Sequence, residues 1–143
     1  MNSGKVIMRD NPGDKIRKRR ILIVDDDEIF LKEIQEALSA GGYDVNAFSD
    51  GESALRQSCK IKPDLIVLDL KMPEKSGFQL ADEFRRMPDT TVTPIIAMTG
   101  YYTEEEYQLL IRICGLENLL TKPFDPCDLI SKIETVLNGK RKG

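Results

Sequence analysis

The 143-residue sequence predicts an α/β fold, a parallel sheet covered by helices on both faces. Three observations carry that expectation. Short runs such as Ile21–Val24 and Leu65–Leu68 are apolar at every position, as strands buried on both faces must be. Other segments carry apolar residues at helical spacing and are framed by capping and stop signals. The two kinds alternate strictly, giving five strands and five helices.

Each element follows in order. Residues 1–19 have no steady period and contain Asn11-Pro12-Gly13, which suggests a flexible basic extension with a short extended piece at Lys5–Met8. From Arg20 the pattern is regular. Ile21–Val24 is the first strand. Leu31, Ile34, Ala37 and Leu38 mark a helix that Gly41-Gly42 stops. Tyr43–Phe48 alternates as a strand, and Asp50 caps a helix through Ala54, Leu55 and Cys59. After the break Lys62-Pro63-Asp64, Leu65–Leu68 forms a strand ending in Asp69. Ser76 with Gln79 makes a capping box for a helix carrying Phe78, Leu80, Ala81 and Phe84. Pro94–Met98 is a strand. Thr103 with Glu106 caps a helix with Tyr107, Leu110, Ile111 and Cys114, and Gly115 stops it. Asn118–Thr121 is a short strand. Asp125-Pro126 opens the last helix, with Leu129, Ile130, Ile133, Val136 and Leu137 on its apolar stripe. This divides the chain into an extension at 1–19, one domain at 20–138 and a basic tail at 139–143.

Composition narrows the function. A hydrophobic fraction of 41% with 31% charged residues suits a globular domain rather than a disordered chain. No apolar run approaches the ~20 residues of a membrane span, and the N-terminus lacks a signal-peptide core, so a cytoplasmic location is expected. Cys59, Cys114 and Cys127 are odd in number and widely spaced, against a disulfide framework or structural zinc. With no histidine, His-based triads, His metal sites and phosphohistidine formation on this chain are excluded. The net charge of −3 hides an uneven layout. Residues 1–20 hold seven basic residues against two acidic ones, and the tail adds three more basic residues. The body between is strongly acidic. The basic ends read as a solvated leader and tail, so no direct nucleic-acid contact is expected.

Open parallel sheets bind ligands beyond the carboxyl ends of their strands. Asp25, Asp26, Asp27 and Glu28 follow the first strand, Asp69 the third, Thr99 and Gly100 the fourth, and Lys122 and Pro123 the fifth. Acids after a strand are often only helix caps, which is all Asp27 or Glu28 need be. Their coincidence with a hydroxyl and an amine at one rim is more demanding. Clustered carboxylates are costly unless a cation sits among them, and oxygen-only donors favour a hard ion, Mg²⁺ before Ca²⁺. One aspartate could then serve as a nucleophile that forms an acyl phosphate. Lys122 would neutralise phosphate oxygens, and Thr99 would donate a hydrogen bond to them.

The segments ILIVDDD (21–27), LIVLDLKMPEKSG (65–77), PIIAMTG (94–100) and LLTKPF (119–124) resemble the receiver domain of two-component response regulators over residues 20–138. The resemblance implies a stand-alone, chemotaxis-regulator-like receiver, or one cut from a longer protein. Its fold would be flavodoxin-like and doubly wound, with strand order 2-1-3-4-5. Asp69 would be the phosphoacceptor. Asp25 and Asp26 would hold Mg²⁺, or Mn²⁺ in its place, together with Asp69 and the main-chain carbonyl of Lys71, Asp26 being the more direct ligand. Lys122 would contact the phosphoryl group, and the Lys122–Pro123 bond would be cis. Thr99 would be the switch hydroxyl. The donor would be a sensor histidine kinase or a histidine phosphotransfer protein. An unidentified downstream protein would read the face made by the fourth helix, fifth strand and fifth helix, which could also mediate phosphorylation-dependent dimerisation.

The sequence departs from the family at two positions. Leu119 stands where an aromatic switch residue is usual, and bulky Tyr101, two residues past Thr99, is expected to hinder water and slow phosphoryl loss. Two other readings compete. One is a pseudo-receiver that binds partners without phosphorylation. The other is a haloacid-dehalogenase-like phosphatase with Asp25 as nucleophile, since Asp25-x-Asp27 follows an apolar strand; Ile29 and the short chain count against it. A GTPase is excluded because no GxxxxGK[ST] is present.

Overall fold

Among the described residues, ten elements alternate: β1 (Arg20–Val24), α1 (Glu28–Ala40), β2 (Asp44–Phe48), α2 (Gly51–Ile61), β3 (Leu65–Asp69), α3 (Gly77–Arg86), β4 (Ile95–Thr99), α4 (Glu104–Ile113), β5 (Leu119–Thr121) and α5 (Pro126–Gly139). They are seen in a computed structural model that describes residues 17–100, 103–113, 115 and 118–139. The strands form one parallel sheet in the order β2-β1-β3-β4-β5, the flavodoxin-like order expected. The strand boundaries shift by a residue at Tyr43, Pro94 and Asn118, which lie just outside β2, β4 and β5.

Period-2 alternation sorts the strand side chains onto two faces. Leu22, Val24, Ile66, Leu68, Ile95 and Ala97 pack under Ala54 of α2, Leu80, Ala81 and Phe84 of α3, and Leu110 of α4. Ile21, Ile23, Leu65, Val67, Ile96 and Met98 pack under Leu31, Ile34 and Leu38 of α1 and Leu129 and Ile133 of α5. The central strands β3 and β4 are buried at every position, which is why their sequences are apolar runs rather than alternations.

The helix caps act where the sequence placed them. Asp27 accepts from the N–H groups of Ile29 and Phe30, and Asp50 from that of Ser53. Both capping boxes form, Ser76 with Gln79 and Thr103 with Glu106. Gly42 and Gly115 take positive φ where their helices stop. Two apolar assignments are corrected. Ile111 is 40% exposed, and Cys59 is exposed while its neighbour Ser58 is buried and donates to the Leu55 carbonyl. Helix rotation decides this, because the stripe that meets the sheet is narrower than the run of apolar residues. The extended piece at 5–8, Tyr101 and Cys114 lie outside the described residues.

Candidate functional site

A parallel sheet puts every carboxyl end on one edge, and the order β1-β3 places the first and third strand ends side by side at the switch point. Asp25 follows β1 directly, Asp69 closes β3, Thr99 closes β4, and Lys122 follows β5. Asp25 is fully buried, Asp69 is 5% exposed and Thr99 1%, whereas Asp26 is exposed. Carboxylate oxygens of Asp25, Asp26 and Asp69 lie within 4.8 Å of one another.

The Lys122 ammonium serves this acid cluster. Its Nζ donates to Asp25 Oδ2 at 2.8 Å and lies 3.8 Å from Asp69 Oδ2, an ion-pair approach rather than a hydrogen bond. Asp25 Oδ1 accepts the Asp27 N–H at 2.9 Å, so both oxygens of Asp25 are engaged. Asp69 Oδ1 accepts the Lys71 N–H at 3.2 Å. Burial, and then the charge of Asp25, pushes the Asp69 carboxyl up to about 6, with Lys122 pulling the other way. Three acids around this ammonium leave a negative pocket of oxygen donors. That donor set fits a hard divalent ion such as Mg²⁺.

The surroundings hold these groups in place. The Lys122–Pro123 bond is cis. The Lys122 N–H donates to the Thr99 carbonyl at 2.8 Å, tying the two strand ends together. The Lys122 ammonium also lies 4.7 Å from the centre of the Phe30 ring, which meets Phe124 edge-on at 5.8 Å. The loop after Asp69 folds back so that Gly77 N–H donates to the Leu70 carbonyl at 3.2 Å. A Cβ on Gly77 would sit 2.7 Å from Leu70 Cα. A groove of about 310 Å³ opens beside Asp26, between Asp50 and Gly51 on one side and Met72, Pro73 and Lys75 on the other.

Asp25, Asp26, Asp69, Lys71, Thr99 and Lys122 therefore reach one rim, whereas Leu119 opens β5, away from that rim, and is half-buried against the α2–α3–α4 side of the sheet. Sequence reasoning missed Phe30, the Gly77 close approach and the contact of Lys71 with Glu106. The apolar residue Phe30 beside Leu31 was a signal for the first, and Ser76-Gly77 before a helix for the second. The third had no signal, since the two residues are far apart in the chain.

Comparison with known proteins matches this arrangement. The model of the response regulator receiver domain matches residues 21–134, and the chain belongs to that family. The match displaces the phosphatase alternative at Asp25. Among relatives, the alkaline phosphatase synthesis transcriptional regulatory protein PhoP of Bacillus subtilis is 34% identical over 83% of this chain and 48% of its own. The transcriptional regulatory protein RprY of Bacteroides fragilis is 37% identical over 90% of this chain and 53% of its own. The chain thus spans about half the length of these curated relatives. Among solved structures, chemotaxis protein CheY4 of Vibrio cholerae superposes with a TM-score of 0.78 at 29% identity, covering 84% of this chain and 99% of that one. A CheY-like receiver domain protein from Methanospirillum hungatei gives 0.79 at 28% identity, covering 88% and 98%. The family is a signalling switch of two-component systems rather than a classical enzyme. Among the described residues, no helix is long and apolar enough to cross a membrane.

Proposed function

We propose that this chain is a cytoplasmic phosphoacceptor switch in which Asp69 takes a phosphoryl group from a phosphohistidine. The observation that carries this is Asp69 on the rim, with its carboxylate 3.8 Å from the Lys122 ammonium and grouped with Asp25 and Asp26. The chain has no histidine, so the donor lies outside these residues, on a sensor histidine kinase or a histidine phosphotransfer protein. An Asp69 oxygen bonds to phosphorus while the P–N bond to the donor imidazole breaks, and the leaving imidazole takes up a proton. Asp25, Asp26, Asp69 and the main-chain carbonyl of Lys71 would hold Mg²⁺ or Mn²⁺, with Asp26 as the more direct ligand. The bound ion supplies charge neutralisation at the phosphoryl oxygens.

The chain's own groups supply the rest. Lys122 is oriented by Asp25 and Phe30, and its ammonium meets the incoming phosphoryl oxygens. Thr99 donates its hydroxyl to them and draws in the loop after β4. Tyr101 screens the acyl phosphate from water, and slow autodephosphorylation returns the switch. Leu119 repacks with that loop in place of an aromatic. The unit is residues 20–138, and its readout is a downstream protein, or a second copy, at the α4–β5–α5 face.

Intact mass after incubation with acetyl phosphate tests this, with and without Mg²⁺, for wild type and Asp69→Asn. A Mg²⁺-dependent gain of one phosphoryl group that Asp69→Asn abolishes is expected. A gain that survives Asp69→Asn would place the nucleophile elsewhere. No gain from either acetyl phosphate or a phosphohistidine donor would favour the pseudo-receiver reading.

A further inference from the structure

Lys71 touches two places at once. Its backbone N–H donates to the Asp69 carboxylate at 3.2 Å. Its ammonium reaches across to α4 and grips Glu106 through both carboxylate oxygens, at 2.7 and 2.9 Å. Glu106 is not an ordinary surface acid. It is the third residue of α4, and its Oε1 accepts the Thr103 N–H at 2.9 Å while its own N–H donates to Thr103 Oγ1 at 3.2 Å. The same carboxylate therefore closes the cap of α4 and ties that cap to the loop after Asp69. The Lys71 ammonium, foremost, holds the Glu106 carboxyl below its usual range.

We propose that the Lys71–Glu106 pair is a latch that holds the first turn of α4 against the acceptor loop, and that phosphorylation of Asp69 opens it. The reason is competition for one ammonium. An acyl phosphate on Asp69 brings close to two negative charges and three acceptor oxygens beside the backbone of Lys71. Glu106 offers one charge, already shared with the Thr103 N–H and partly open to water. An exposed pair holds weakly, and with Asp25 and Asp26 beside the acyl phosphate the site stays net negative even after Lys122 and a bound divalent ion are counted, so it draws the lysine away from Glu106. Glu106, released from the lysine, then joins Glu104 and Glu105 in an acidic tip on α4, at the front of the proposed readout face.

This rests on the phosphoacceptor reading, and the test separates the two. Glu106→Gln keeps the capping box, because glutamine fills the same position, but removes the charge that Lys71 grips. Lys71→Gln keeps the backbone and removes the ammonium. Hydrogen exchange at the Glu106 and Tyr107 amides is compared in wild type and both variants, before and after acetyl phosphate, with phosphoryl content read by intact mass in the same samples. The unphosphorylated variants are expected to exchange about three- to fivefold faster than wild type, the factor an exposed pair of this kind supplies. Phosphorylated wild type is expected to match them, and phosphorylation to add nothing further in the variants. Unphosphorylated variants that exchange like wild type would overturn the latch. Phosphorylated wild type that keeps its slow exchange would overturn its release. A sample that gains no phosphoryl mass from acetyl phosphate or from a phosphohistidine donor would overturn the acceptor reading and the release together, while the unphosphorylated comparison still decides the latch.

Discussion

Burial and the charge of Asp25 change the acid–base chemistry of Asp69. Its carboxyl, pushed up to about 6, keeps a proton in the fold over a range where the unfolded chain, with a pKa of ~3.9, has lost it. Above that range the folded state holds a buried carboxylate beside Asp25. This group therefore makes the ion-free domain lose stability as pH rises from about 4 through about 6. Asp69→Asn removes the cost, so urea unfolding without divalent ions should show a gain of about 1–2 kcal/mol near neutral pH that closes below about pH 4. Equal stability of the two proteins at both pH values would contradict the assignment. Lys122 acts in the opposite direction. It is the cation on fully buried Asp25, and removing it strands that charge. Lys122→Ala should cost about 2–3 kcal/mol, less than a fully buried pair because the lysine is partly exposed. Adding Asp25→Asn should recover much of the loss in a double-mutant cycle. The identity of both residues was legible in the sequence, since each stands directly at a strand end. Their coupling was not, because 97 positions separate them.

At the scale of elements, local signals carried well and non-local ones did not. Capping boxes span four residues, so Ser76-Gln79 and Thr103-Glu106 are legible in the sequence alone, and both form. Ser76→Ala should cost about 1 kcal/mol through the lost cap. Gly77, its neighbour, sits against the backbone of Leu70, and any side chain there must push the acceptor loop outward. Gly77→Ala should therefore destabilise by about 1–3 kcal/mol and slow phosphoryl uptake, whereas Ser76→Ala should affect stability alone. Matched thermal melts and phosphorylation rates on the two variants check that contrast. Ile111 and Cys59 show the limit of periodicity. Both fall within apolar helical runs, yet the rotation that buries Leu110 and Ser58 turns them outward.

For the whole molecule, the proposed ion site at the acid cluster should make stability depend on divalent ions. An ion that binds the fold and not the unfolded chain stabilises by mass action, on the order of 1 kcal/mol at ten times its dissociation constant. Mg²⁺ should raise the melting temperature of wild type. Asp26→Ala should abolish that rise while leaving ion-free stability nearly unchanged, because Asp26 is exposed. A rise that persists in Asp26→Ala would remove that residue from the proposed ligand set. The sequence by itself determined the class of fold, the ten alternating elements and the acids, hydroxyl and amine at the strand ends. These follow from local hydrophobic period and capping chemistry, which each segment carries alone. Tertiary structure decided that Asp25 is buried against Lys122, that Gly77 must lack a side chain, and that Lys71 spans to Glu106. Each of those depends on the order in which strands lie side by side and on how each helix is rotated against the sheet. Those are properties of packing between distant segments.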